Sequence, residues 1–136
     1  MKTRNWLIAS SLALGLAGML ALFAPDELLG ISGLRSDSSI PVVLQLLGSF
    51  YFALAFINWN CKDTRIGGIY LRPVSLGNFA HFFVGALVFG KYALANNQNG
   101  LALAIMSVYA VFSYFFWWLV FRSTGELPEA AGSELV

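Results

Sequence analysis

The stretch PVVLQLLGSFYFALAFINW, residues 41–59, decides the fold, because about 19 consecutive positions pass without one charged side chain. At 1.5 Å per residue, a helix of that length covers about 28 Å, close to the hydrocarbon thickness of a bilayer, which takes about 20 apolar residues to cross. Pro41 fits the first turn, where its missing N–H would have no intrahelical partner anyway. Gln45, Gly48, Ser49 and Asn58 are the only relief in an otherwise oily segment. The stretch reads as a membrane-crossing helix.

Working outward, three more runs have the same character. Trp6–Ala24, Leu76–Leu94 and Leu101–Phe121 complete an all-α integral membrane four-helix bundle with spans at 6–24, 41–59, 76–94 and 101–121, within a single transmembrane domain over 1–121. Composition agrees, since 58% of the 136 residues are hydrophobic and 11% are charged, against about 25% charged in soluble domains. Four spans leave no room for a soluble domain. The first run follows Lys2 and Arg4, as a signal peptide would, but it is longer than a signal core and Leu22-Phe23-Ala24 is a poor cleavage site. Trp6, Trp59, Trp117 and Trp118 lie near span ends, where amphipathic rings favour the headgroup layer.

The connections carry the polarity. Pro25 ends the first helix, and 26–40 mixes Asp26, Glu27, Arg35 and Asp37 with Leu28, Leu29, Ile31 and Leu34, the pattern of either a short interfacial amphipathic turn or a partly ordered loop. Asn60–Ser75 is a turn-rich cationic connection that includes Cys61, whose solitary thiol rules out an internal disulfide. Asn96–Gly100 is a tight polar turn. The tail, 122–136, is too polar and too short to build a core, and is expected to be disordered.

Lys and Arg in short loops set orientation, because cytoplasmic loops are enriched in them. With the N-terminus inside, the inner segments hold Lys2, Arg4, Lys62, Arg65, Arg72 and Arg122, against Arg35 and Lys91 outside. An even number of spans then returns the C-terminus to the cytoplasm. The expected location is the bacterial inner membrane, multi-pass, with both termini cytoplasmic.

On the first helix Ala9, Ala13, Ala17 and Ala21 recur every four residues, flanked by Ser10 and Gly18 and by Ser11 and Gly15. Such small-residue faces let helices approach closely, which is how they gain packing energy in lipid. The ridge is expected to be packing surface. Counting depth along the helices places Ser10, Asn58, Asn78, His81 and Tyr114 between about 2 and about 10 Å from the inner helix ends. If they share the interior, Asn58, Asn78, His81 and Tyr114 form a polar pocket open to the cytoplasm, with Arg72 at its mouth. Intramembrane polar groups are costly and often functional. The alternative is direct pairing between helices, at about 0.6 to 2 kcal/mol per bond, with no further role.

Several chemistries lack their residues. One His, one Cys and carboxylates confined to loops and tail give no metal site, and no cofactor is expected. No Asp, Glu or Arg lies within the four runs, and Lys91 is near enough to a span end to snorkel, which argues against coupled transport. Ser10 and Ser113 have no intramembrane carboxylate to complete a triad, and Gly67-Gly68 lacks the context of a phosphate loop. A net charge of +1 without a basic block implies no nucleic-acid partner.

The layout resembles small bacterial four-helix membrane proteins of the DoxX-like and related kind. Its carriers are the first helix ending at Ala24-Pro25-Asp26, the Leu46-Leu47-Gly48 segment in the second, and Arg72-Pro73 opening the third. The resemblance covers nearly the whole chain, is architectural, and implies the fold without transferring a functional residue. The leading expectation is a non-enzymatic accessory or interaction subunit, whose partners are the bilayer and either a second copy or another membrane protein. The alternative is a protein binding a quinone, lipid or amphipathic metabolite in a pocket around His81. An oligomeric channel or carrier fits less well, because the middles of the first and fourth helices are too apolar.

Overall fold

The computed structural model describes residues 3–31, 39–64, 71–96 and 99–122. These form α1 (Thr3–Phe23), α2 (Pro25–Ile31), α3 (Ile40–Cys61), α4 (Leu71–Ala95) and α5 (Gly100–Arg122), with no strand among the described residues. α1, α3, α4 and α5 are each long and apolar enough to cross a membrane. The expected disorder of the tail concerns residues outside the described ones.

All four long helices extend past the expected apolar runs, α1 starting at Thr3 rather than Trp6, and two of these extensions have a consequence for named residues. α4 begins at Leu71, five residues earlier than the apolar run, so Arg72, Pro73 and Ser75 are helical rather than part of a connection. Pro73 is no obstacle, because the first N–H groups of any helix have no intrahelical acceptor and a proline there loses nothing. α3 likewise runs on to Cys61, which closes the helix instead of lying in a loop. Pro25 both stops α1 and starts α2: the Ala24 carbonyl accepts the first bond of the new helix, from Leu28 N at 3.2 Å. Asp26 and Glu27 then fall in the first turn, at the positive end of the α2 dipole. Of the segment read as either an amphipathic turn or a loop, the part within Pro25–Ile31 is helical, with Leu29 buried.

The chain forms two compact units, Met1–Asp63 and Thr64–Val136. In the first, α1 and α3 pair and α2 packs against both. The pair is antiparallel: contacts step from Arg4–Asp63 at one end through Ser10–Asn58 and Gly18–Gly48 to Leu22–Gln45 at the other. On α3 the buried or half-buried positions include Pro41, Leu44, Gly48, Tyr51, Ala55 and Asn58, a three-and-four repeat that makes one continuous seam. On α1 the buried stripe is Thr3, Leu7, Ser10, Ser11, Leu14, Gly18 and Ala21. The helices touch backbone to backbone where the two glycines meet. A Cβ on Gly18 would lie 2.9 Å from the Gly48 carbonyl oxygen and 2.9 Å from Phe52 N, and one on Gly48 would lie 2.9 Å from the Gly18 carbonyl oxygen.

This reassigns the small-residue ridge. Ala9, Ala13 and Ala17 are exposed, and the seam uses the flanking Ser11, Gly15 and Gly18, with only Ala21 of the alanine row buried. The reason is energetic. Glycines let the two backbones come into contact, and Ser11 finds its acceptor across the seam, so this stripe gains more against α3 than the alanine row would.

The second unit is built on rings. α5 starts with Asn99 as its cap, whose Oδ1 accepts from Leu101 N at 3.0 Å and Ala102 N at 3.2 Å, satisfying two of the helix's unpaired donors. From there α5 packs against α4. Phe82 of α4 is 1% exposed and meets Tyr109, Phe112 and Phe116 of α5, with ring centroids 5.3, 4.8 and 5.8 Å away. Gly85 provides the notch for Tyr109, since a Cβ there would overlap the tyrosine ring. One turn further, Gly90 faces the Met106 sulfur.

Candidate functional site

Of the five residues singled out from sequence, Asn58 belongs to the first unit and Arg72, Asn78, His81 and Tyr114 to the second. Asn58, in the first unit, is fully buried and donates from Nδ2 to Ser10 Oγ at 3.1 Å. Ser10 Oγ in turn donates a hydrogen bond to the Leu7 carbonyl at 3.0 Å, so a short chain of hydrogen bonds crosses the α1–α3 seam. Ser11 Oγ adds a second crossing bond to the Ala55 carbonyl at 2.7 Å, and Gln45 Nε2 a third to the Leu22 carbonyl at 3.0 Å. These polar groups tie two helices together.

In the second unit Asn78 is also fully buried and donates from Nδ2 to the Val74 carbonyl of its own helix at 2.9 Å. His81 is half-buried, edge-on to Phe82 at 5.1 Å and tilted against Tyr109 at 5.7 Å. Arg72 is exposed in the first turn of α4. Tyr114 is 68% exposed and stacks on Trp117 at 6.0 Å. The depth count could not see this, because Tyr114 lies two residues from both Phe112 and Phe116, about 200° round the helix from the face that meets Phe82.

Tyr114 borders something sequence reasoning did not find. A groove of about 430 Å³ runs between α4 and α5, walled on one side by Phe79, Phe83, Ala86 and Leu87. The other wall is Ala110, Ser113, Tyr114 and Trp117. Its cause is the alternation of residue size: Ala86 and Ala110 leave room between bulky neighbours. Phe79 and Phe83 stack at 5.5 Å on one wall, as Tyr114 and Trp117 do on the other. His81 is two positions from both Phe79 and Phe83, which turns it to the opposite flank of α4, and it does not line the groove. The three-and-four spacing of Phe79, Phe83 and Ala86 on one helix and of Ala110, Ser113, Tyr114 and Trp117 on the other was the available signal. In a helix apolar on all sides it does not stand out.

The first unit has a charged end. Arg4 Nε donates to Asp63 Oδ1 at 2.9 Å, and Lys62 Nζ lies 3.5 Å from Asp63 Oδ2 and 4.5 Å from the centre of the Trp59 ring. Among the described residues, no three His, Cys, Asp or Glu side chains come together as a metal site requires. Comparison of the chain with protein-family models, curated proteins and solved structures finds no match.

Proposed function

We propose that the chain is a multi-pass protein of the bacterial inner membrane, with both termini cytoplasmic, acting as a non-catalytic accessory subunit that docks against another membrane helix. The observation that carries the docking role is the outward row Ala9, Ala13 and Ala17 on α1, which is exposed while the opposite stripe of the same helix is engaged with α3. A row of small residues four apart is a surface onto which a helix can pack closely in lipid. The pairing of Asn58 with Ser10 supports the same reading, since those groups act as glue within the subunit. The orientation rests on the excess of Lys and Arg in the N-terminal segment, the α3–α4 connection and the end of α5. The charged end formed by Arg4, Lys62 and Asp63 then faces the cytoplasm.

Cysteine crosslinking tests the docking face. With Cys61→Ser as background, Ala13→Cys should give a disulfide- or bismaleimide-linked species in native membranes, whereas Leu16→Cys, on a bulky exposed position, should not. A product of twice the chain mass identifies a second copy, and one of another mass a different partner. Monomer alone from both positions rejects the docking role. A fluorescent protein fused after Val136 should fold and glow if the C-terminus is cytoplasmic, and a dark fusion at normal expression rejects the orientation.

A further inference from the structure

We propose that the α4–α5 groove is a binding site for a membrane-dissolved molecule with a flat ring bearing a carbonyl-type acceptor oxygen. The inference concerns the second unit and stands independently of the docking face on α1.

The first observation is a hydroxyl left over. Ser10, Ser49, Ser75 and Ser107 each donate to a carbonyl of their own helix, three or four residues back, and Ser11 donates across to Ala55. Among the described buried serines Ser113 is the exception: it is 6% exposed, lines the groove, and has no hydrogen-bond partner among the described residues. A hydroxyl in a low-dielectric setting without an acceptor costs about 1–3 kcal/mol. Helical serines escape that cost by bonding back to the preceding turn, as the others do here. Ser113 instead keeps its donor free for whatever occupies the groove.

The second observation is the shape of the walls. Two stacked aromatic pairs, Phe79–Phe83 and Tyr114–Trp117, stand on either side of a floor of alanines. Ring faces of this kind prefer another flat π-system in offset or edge contact. A saturated acyl chain would fill the volume but would satisfy neither the rings nor the Ser113 donor. A ring carbonyl does both, accepting from Ser113 Oγ while its plane lies against the aromatic walls.

The test uses the full chain purified in detergent and reconstituted in lipid nanodiscs, with decylubiquinone as probe and tryptophan fluorescence as readout. Saturable quenching is expected, and Trp117→Phe should remove most of it. Ser113→Ala should weaken the apparent Kd about threefold to tenfold, the worth of one neutral hydrogen bond, and Ala110→Phe should abolish saturation by filling the floor. Unlabelled 1-decanol, which has the chain but no ring, should not compete. Equal affinity of Ser113→Ala and wild type overturns the proposal, as does competition by decanol, which would make the groove an acyl-chain slot. If Ala110→Phe fails to fold by circular dichroism, Ser113→Ala and the decanol arm decide alone.

Discussion

The two units of this chain solve the same problem in opposite ways. In lipid, helices gain nothing from burying apolar surface against each other, and must associate through close packing or hydrogen bonds. The α1–α3 pair uses both: glycine meets glycine at the crossing, and Ser11, Asn58 and Gln45 each bond across the seam. The α4–α5 pair has few such devices and relies on aromatic volume, with Phe82 seated among Tyr109, Phe112 and Phe116. Close contact leaves no space between α1 and α3 at the glycines. Large rings alternating with alanines leave a groove on α4–α5, together with a serine donor that faces it. The lesson is that the seam crossed by side-chain hydrogen bonds is the structural one, while the pair packed through its rings holds the candidate site.

Substitutions can break this contrast in order of size. Phe82→Ala removes the ring on which three others converge, and should destabilise α4–α5 by about 3–5 kcal/mol, read as the midpoint of unfolding in an SDS titration. Gly18→Ala comes next. Its methyl would meet backbone atoms that cannot rotate away, and overpacking of that kind costs about 1–3 kcal/mol. Gly90→Ala is the matched control in the other unit, because there the methyl would meet only the flexible Met106 thioether at 3.2 Å. It should fall between neutral and stabilising by up to about 1 kcal/mol, reflecting the better helix propensity of alanine. Equal losses for the two glycines would show that close backbone approach is not what distinguishes the pairs. Asn58→Leu should cost about 0.6 to 2 kcal/mol in the same titration, through loss of the bond to Ser10. The smallest effect belongs to Asp63→Asn: its pair with Arg4 is 58% and 64% exposed, so the loss should stay below about 1 kcal/mol and vanish at high salt.

Particular residues show how far the sequence could be read. Pro41 and Gly48 were legible, since a proline in a first turn and a glycine within a span each have a local reason to be there. The polar turn Asn96–Gly100 was legible as a break between spans, whereas the role of Asn99 as the cap of α5 came only with the structure. The polar set was legible only as a set of depths. Asn58 pairs with Ser10, Asn78 bonds back to Val74, and Tyr114 turns outward beside Trp117. Depth along an axis says nothing of the angle around it.

What the sequence by itself determined is the number and place of the long apolar helices, because length and freedom from charge belong to each segment alone. Only the tertiary structure decided which side of each helix meets a neighbour. In water a helix announces its inner face by a polar outer one, but α1 is oily all round and its alanine row looked as good a seam as the serine and glycine stripe beside it. The choice fell to pairwise terms, the reach of Ser11 to the Ala55 carbonyl and the fit of Gly18 against Gly48, which exist only once two helices stand side by side. For the same reason the groove and its idle Ser113 hydroxyl became visible only with α4 and α5 in place.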